Sequence, residues 1–444
     1  MVKDLTVGNP QKVLVTFTIP MFISVVFQQL YNIADSVIAG KFAGEDALAA
    51  VGASYPITMI FMAVAVGSNV GCSVLISNLF GAKKYEQMKT AVSTTLISAV
   101  VLSVLMTVLG LLGTRWLMNM IHTPDNIFGD GAYYLRIYIA GFIFVFLYNI
   151  ATGVFSALGD SKTPLYFLIG SSIGNILLDL LFVACFHWGV GGVGWATFIA
   201  QGAACILALF ALKNRIKNIK TTQAIAFYSK EMFGKVCRLA VPSILQQSFV
   251  SVGNIFIQSL INQNGSHVIA GYSAAVKLNT FAITSATTLG NGISNFTAQN
   301  LGAGQLERVK SGVKGGIKMS AAIAVLFTAA FCAAASFFIQ LFMNETSDQL
   351  ALSTGTQFLY IVSPFYIIIA MKLLFDGVLR GGGAMKSFMA ATFTDLFLRV
   401  VLAYVLSAHF GVIGIWYSWP IGWTISAVFS AAFYLRGNWK RGIE

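Results

Sequence analysis

The stretch PMFISVVFQQLYN, residues 20–32, decides the fold, because a related stretch, PSILQQSFVSVGN, returns 222 residues later at residues 242–254. Both stretches begin at a proline and reach an asparagine after the same interval. Further on, Gly81–Lys89 is answered by Gly302–Lys310, and Gly153-Val154-Phe155 by Gly377-Val378-Leu379. Similarity at a fixed half-length spacing indicates a duplicated unit. In polytopic membrane proteins such halves commonly surround a central cleft that opens alternately to either side, which is typical of transporters.

The composition is that of an all-α integral membrane protein. The chain is 57% hydrophobic and only 10% charged, and a bilayer-spanning helix needs about twenty apolar residues. We therefore expect two six-helix halves, 1–213 and 236–444, joined by a solvated connector at 214–235. The twelve predicted spans are 13–37, 48–78, 91–113, 132–157, 164–186, 190–212, 237–261, 269–298, 316–342, 354–379, 388–408 and 412–435.

The positive charge is distributed as in a membrane protein. The formal net charge is +12, and most of the 28 Lys and Arg residues fall in the two tails and the even-numbered loops. The odd-numbered loops hold only Lys41 and Arg115 as cations. This positive-inside pattern predicts that both termini are cytoplasmic, and it makes a nucleic-acid partner the weaker interpretation. Since each half then has an even number of spans, the halves are parallel repeats related by an axis along the membrane normal.

Metal, redox and ATP-driven chemistry have no motif in the chain. The five cysteines are widely spaced, with no metal or redox spacing, and the four histidines are scattered over external loops and span ends. No GxxxxGK[ST] sequence is present, so we expect an ion gradient or the substrate's own gradient to supply the energy. A membrane-embedded enzyme would require clustered His, Asp or Ser at the membrane interface. We therefore predict neither an enzyme nor a bound cofactor.

Seven ionisable residues fall inside predicted spans, where each charge needs a partner or a function. Four of them form two pairs with a spacing of four residues, which places both members on one helix face. These pairs are Lys372 with Asp376 and Asp395 with Arg399, and we interpret them as structural ion pairs. Lys277 is the fifth residue.

The remaining two, Asp35 and Asp179, have no cation three or four positions away. Asp35 continues a polar stripe with Tyr31 and Asn32, and Asp179 has Asn175 one turn earlier. Unpaired carboxylates among neutral oxygen-bearing side chains suit a small cation, Na⁺ or H⁺, and burial disfavours the charged form of a carboxyl group. The alternative is that both are structural carboxylates satisfied by neutral partners.

The run from Pro20 to Gly52 resembles the first repeat of the MATE (multidrug and toxic compound extrusion) family of transporters. Each motif is loose, but their order and spacing together are specific, they cover essentially the whole chain, and the family's twelve spans agree with our count. The similarity is greatest to the bacterial branch of the family. The further motifs that carry the resemblance are Ala157–Lys162, Gly174-Asn175 with Asp179, and Leu379-Arg380-Gly381.

The resemblance implies a cation site in the N-terminal half. In related prokaryotic members a first-span Asp is central to cation coupling, and a fifth-span Asn and Asp with a sixth-span Thr complete the site. The corresponding residues, which would be metal ligands only if the coupling ion is Na⁺, are Asp35, Asn175, Asp179 and Thr197. Coupling through C-terminal carboxylates, known in another branch, is disfavoured because the seventh span, Pro242–Ile261, has no acid.

The resemblance also implies bending of the first span at a proline, here Pro20, although a proline can instead stabilise one fixed kink. We weakly nominate Gln28, Tyr31, Asn32, Tyr138 and Asn149 as cleft residues.

The function expected from these residues is antiport of lipophilic, cationic organic compounds against Na⁺ or H⁺ by alternating access. The expected partners are small organic substrates and the lipid bilayer, with a monomeric chain in a bacterial cytoplasmic membrane. The alternative from the same superfamily is a flippase or exporter of a lipid-linked or metabolite substrate. Such a flippase usually needs a strongly cationic cleft. A channel is a further alternative, but it would not require two unpaired carboxylates.

Overall fold

The computed structural model describes residues 4–221, 225–342 and 349–441, and within those ranges the chain is helical with no strand. Two π-helical turns, Ala39–Ala43 and Leu180–Cys185, and two 3₁₀ turns, Ser363–Phe365 and Asn438–Arg441, interrupt or end the helices. The helices are α1 Pro10–Ile38, α2 Glu45–Gly81, α3 Tyr85–Met120, α4 Asp125–Ala157, α5 Lys162–Asp179, α6 Gly189–Lys217, α7 Lys230–Asn262, α8 Ser266–Gly302, α9 Leu306–Gln340, α10 Gln349–Val362, α11 Tyr366–Gly381, α12 Met385–Phe410 and α13 Val412–Leu435.

Twelve helical segments in the described ranges are long enough to cross a membrane, as the sequence predicts. The tenth consists of α10 and α11, which the 3₁₀ turn containing Pro364 joins end to end. Eleven of the segments also have the apolar composition of a membrane span. The exception, α8, is rich in Ser, Thr and Asn, and it packs against α9, α10 and α11. Because those polar residues are largely buried in protein, α8 does not need an apolar surface.

The chain divides into two compact units. The first contains residues 23–248 and the second contains residues 5–22 and 249–444. The division follows the two repeats, except that the start of α1 groups with the second unit and the start of α7 groups with the first. Helix α1 runs unbroken through Pro20.

In the first unit, α4 packs against α2, α3 and α6, and α5 packs against α6. Helices α2 and α7 approach each other at Gly67 and Gly71, where an added Cβ would lie 2.5 Å from the backbone of Ile244 and 2.4 Å from that of Ala240. Two glycines four residues apart let helix backbones approach closely in a membrane. The packing of α4, α5 and α6 fixes three of the helices that contribute to the site described below.

In the second unit, α8 packs against α9, α10 and α11, and α12 packs against α13. The core is unusually aromatic: the Tyr272 ring stacks on Trp416 at 5.3 Å, and Phe358 meets Trp416 edge-on at 5.0 Å. The N-terminal segment belongs to this unit, since the Leu5 backbone N–H donates to the side chain of Gln299 at 3.0 Å.

The surface is apolar along the outer faces of the helices, as expected where side chains contact lipid. Helix α3 is the clearest case, because its most apolar stretch is only 17% buried. Leu112 on that helix is 82% exposed. In water such a continuous apolar surface would mark an association or aggregation site; in a bilayer it is the normal exterior.

Candidate functional site

The polar site of the first unit is built from the ends of two helices and the middle of a third. Helix α1 contributes Tyr31 and Asp35, α5 contributes Asn175 and Asp179, and α6 contributes Thr197. Asn175 and Asp179 are one turn apart on the same face of α5, and they are only 2% and 1% exposed.

A π-helical turn follows each of the two aspartates. The turn Ala39–Ala43 begins four residues after Asp35, and the turn Leu180–Cys185 begins immediately after Asp179. The two turns contact each other. Single π-helical turns are frequent at functional sites. Here they close the end of the site that holds the two carboxyl groups.

The carboxyl groups of Asp35 and Asp179 lie within hydrogen-bonding reach of each other. When both are ionised neither can donate, and Asp35 Oδ1 and both Asp179 oxygens then have no hydrogen-bond partner among the described residues. No ion pair with a Lys or Arg of the described ranges relieves their repulsion. A proton shared between them, or a cation bound by both, would do so.

Neutral oxygen atoms complete the site. The Asn175 side-chain amide donates to the Thr197 hydroxyl at 3.5 Å, which leaves Asn175 Oδ1 buried without a partner. The Tyr31 hydroxyl interacts with Thr197 and lies near both carboxyl groups, and Tyr134 of α4 also lies near them. The site therefore concentrates unsatisfied acceptor oxygens, which is the donor set of a hard cation.

A small, partly open cavity of about 10 Å³ adjoins this site between α4 and α6. It shares Tyr134 and Thr197 with the polar site, and its other polar or aromatic lining residues are Tyr138, Phe198 and Gln201. The cavity therefore joins aromatic surface to the carboxyl groups within one unit.

The structure brings together Asp35, Asn175, Asp179, Thr197 and Tyr31, and it places Tyr138 in the adjoining cavity. The other nominated residues are not among those that line this cavity. Gln28 and Asn32 are exposed on α1, and Asn149 donates to the Val145 carbonyl of its own helix at 2.8 Å.

Several lining residues and both π-helical turns were missed in the sequence. Tyr134, Phe198 and Gln201 line the cavity, yet in the sequence they are ordinary residues of apolar spans. The sequence could have indicated two of them by their spacing from predicted site residues. Tyr134 lies one turn before Tyr138, and Phe198 directly follows Thr197.

One of the two predicted ion pairs of the second unit is confirmed and the other is wrong. Lys372 Nζ lies 2.8 Å from Asp376 Oδ2 on α11. Asp395 forms no ion pair with Arg399 in the described residues. Its carboxylate lies 4.0 Å from Lys372. The Arg399 guanidinium stacks over the Trp419 ring at 4.5 Å. Helical spacing allowed the second pair, but the guanidinium lies against an aromatic side chain of α13 instead.

The sequence model of the MatE family matches residues 20–181 and 242–405, which is most of the chain and both repeats. The chain belongs to the MATE family. MATE proteins are multi-pass membrane transporters, so this chain is a transporter rather than an enzyme.

Similar proteins cover nearly the whole of this MATE chain. The Bacillus subtilis protein named probable multidrug resistance protein YoeA is 28% identical over 96% of this chain and 93% of its own length. The multidrug export protein MepA of Staphylococcus haemolyticus is 23% identical over 94% of this chain and 91% of its own length. A crystal structure of a MATE protein in complex with MaL6 superposes with a TM-score of 0.92, at 23% identity and 98% coverage of both chains.

Proposed function

We propose that this MATE chain is a secondary active multidrug exporter that antiports lipophilic organic cations against Na⁺ or H⁺ across a bacterial cytoplasmic membrane. The observation that carries the proposal is the pair of carboxyl groups at Asp35 and Asp179, which face each other without a cationic partner in the described residues. The names of the relatives, multidrug resistance and multidrug export proteins, support the substrate class.

The donor set suits either coupling ion. A hard cation such as Na⁺ takes several carboxylate, amide and hydroxyl oxygens, and Asp35, Asp179, Asn175 and Thr197 offer these three kinds. A proton needs only one carboxyl group that can donate to the other. We infer no resident metal or cofactor, because in both cases the ion is cargo that must leave in every cycle.

The side chains around the adjoining cavity supply the aromatic surface that attracts an organic cation. Aromatic faces attract cations, and Tyr134, Tyr138 and Phe198 lie along the cavity wall. Since Tyr134 and Thr197 belong to both the cavity and the carboxyl site, a cation in one changes the electrostatic potential and the side-chain positions in the other. Two cations sharing one pair of carboxylates compete, and this competition is the basis of exchange.

The transport cycle follows from that competition. The coupling ion binds from outside and favours release of the substrate; a substrate from the cytoplasm or inner leaflet then displaces the ion. Coupling requires that the two ligands stabilise different conformations, because equal affinity for both conformations shifts no equilibrium. We propose a monomer with both termini in the cytoplasm, in line with the positive-inside charge pattern.

The test is uptake of a fluorescent lipophilic cation into proteoliposomes under an imposed Na⁺ gradient or an imposed proton gradient. We expect one gradient to drive accumulation by the wild type. We expect Asp35→Asn and Asp179→Asn to abolish it while preserving the yield of folded protein, because each removes one of the two charges that hold the ion.

The matched control is Asp130→Asn, which makes the same chemical change at an exposed acid of α4 and should leave uptake unchanged. Wild-type accumulation in either site mutant would refute the assignment of the coupling site. No response of the wild type to either gradient would favour the flippase or metabolite exporter instead.

A further inference from the structure

The second unit contains a buried cluster of five charged side chains, which lie on α11 and α12. Each is at most 7% exposed. Three are cations and two are carboxylates, so the cluster has one positive charge in excess. The only other carboxylate among residues 249–342 and 349–441 is Glu307, which pairs with Lys310 on the surface. The members of the cluster are Lys372, Asp376, Arg380, Asp395 and Arg399.

Most members of the cluster have partners. Asp376 accepts from the Ser430 hydroxyl at 2.6 Å and pairs with Lys372. Arg380 donates to Asn291 at 2.6 Å and also contacts Ser294. Asp395 is the more distant second acid beside Lys372. Asp395 Oδ1 is buried without a hydrogen-bond partner, and Arg399 is the cation of the cluster that has neither an ion pair nor a hydrogen-bond acceptor among the described residues.

Arg399 has no hydrogen-bond acceptor among the described residues. The side chain is 95% buried, since only 5% of its surface is exposed, and its Nε is buried without a partner. The guanidinium stacks over the face of Trp419. Burying an arginine without an acceptor costs free energy of folding. An anion bound to this guanidinium would offset that cost.

Space lies beside this guanidinium at Gly253 of α7. A Cβ at position 253 would meet Arg399 Nη2 at 3.9 Å and Val400 at 3.7 Å. These are ordinary contact distances, so a side chain would fit there. The absence of a side chain at residue 253 leaves room for a ligand atom beside Nη2 of Arg399.

The repeat register relates Arg399 to the cation site of the first unit. Arg399 lies thirteen residues after Lys386, as Asn175 lies thirteen residues after Lys162. By the same register Ala403 corresponds to Asp179.

The register of α1 and α7 gives the same result. Counted from Pro20 and Pro242, Ile257 corresponds to Asp35 and Gly253 corresponds to Tyr31. The second unit thus has no carboxylate at the positions matching the coupling site of the first, and it has a fixed cation where the first has an amide. The two repeats have opposite polarity at matched positions.

We propose that the second unit binds the carboxylate of an organic molecule at Arg399. Arginine presents two parallel N–H groups in a fork that matches a carboxylate, and the anion would neutralise the excess charge of the cluster. The inference rests on the proposed function in one respect, namely that the acid belongs to an exported organic molecule. Substrates with a free carboxylate would then be preferred over their esters.

The test measures equilibrium binding to the purified chain in nanodiscs of zwitterionic lipid, with no gradient present. The probes are a rhodamine with a free carboxylate and its methyl ester, which share the same fluorophore, and the readout is fluorescence polarisation. We expect the wild type to bind the acid more tightly than the ester. We expect Arg399→Gln to weaken binding of the acid by about ten- to hundredfold without changing binding of the ester.

A second variant keeps the charge and blocks the space. Gly253→Leu should weaken binding of the acid selectively, whereas Gly234→Leu on the same helix, where nothing lies within 4 Å, should not. Equal affinity of the wild type for acid and ester, or equal losses for both probes in Arg399→Gln, would overturn the proposal. Because binding needs no gradient, this outcome is separate from a failure of coupling, which Asp35→Asn reports in the uptake assay.

Discussion

Buried carboxyl groups in this protein differ in the neighbours that the fold gives them. Asp376 has a lysine one turn away and a serine hydroxyl from α13, so its charge is compensated. Asp35 and Asp179 have each other and neutral oxygens. The first arrangement is structural, and the second is suited to binding and releasing an ion.

The sequence predicted these assignments only as far as helical spacing reaches. Asp35 and Asp179 were identified because no cation stands a turn away in sequence, and Lys372 was matched with Asp376 because one does. The same rule failed for Asp395 and Arg399. Spacing places two side chains on one face, but it cannot predict that Arg399 meets an aromatic ring on another helix.

A third kind of carboxyl group makes a residue-scale prediction about stability. Asp160 is 3% exposed, accepts from the backbone and hydroxyl of Thr163, and pairs with Arg215 at 2.6 Å. It therefore ties the α4–α5 turn to the end of α6. We expect Asp160→Ala to destabilise the protein by ~1–3 kcal/mol, measured as a lower apparent melting temperature in detergent.

The control for Asp160 is Glu307→Ala, which removes an acid from the exposed pair with Lys310. Exposed ion pairs contribute about 0–1 kcal/mol, so this variant should melt close to the wild type. If both variants lowered the melting temperature equally, the buried ionic contact would not be what stabilises the turn.

At the scale of helices, the sequence predicted number and order well and local irregularities poorly. Twelve spans emerge from apolar stretches because the bilayer imposes a length on every helix. The π-helical turns after Asp35 and Asp179 and the 3₁₀ turn in the tenth span, which contains Pro364, are departures from the regular α-helix. Hydropathy contains no signal for the two π-helical turns, although they help to shape the site.

The contact between α2 and α7 makes an element-scale prediction. An added methyl group at Gly71 would meet the Ala240 backbone at 2.4 Å, so the two helix backbones would have to move apart. We expect Gly71→Ala to cost about 1–3 kcal/mol through overpacking. The measurement is the apparent melting temperature together with the monodisperse fraction in size-exclusion chromatography.

Gly52→Ala is the matched control on the same helix, since nothing lies within 4 Å of that position. Replacing an unconstrained helical glycine by alanine stabilises a helix by up to about 1 kcal/mol, so this variant should be as stable as the wild type or more so. A Gly71→Ala protein as stable as Gly52→Ala would show that the close approach of the helices is unimportant.

At the scale of the whole molecule, duplication explains the fold and divergence of the repeats explains the chemistry. The repeat was visible in the sequence from matched prolines, glycines and lysines. The side chains that carry charge did not follow the repeat: the first unit has Asn175 and Asp179 where the second has Arg399 and Ala403. Matched positions of the two repeats therefore differ in polarity.

The central claim is that the coupling ion and the exported cation compete for the carboxyl groups of Asp35 and Asp179. The most direct measurement is equilibrium binding of a fluorescent lipophilic cation to the purified protein at increasing Na⁺ and, separately, increasing proton concentration. The account predicts that one of these ions weakens binding to the wild type, and that Asp35→Asn binds the probe with an affinity that depends on neither ion. The same ion dependence in the mutant and the wild type would contradict it.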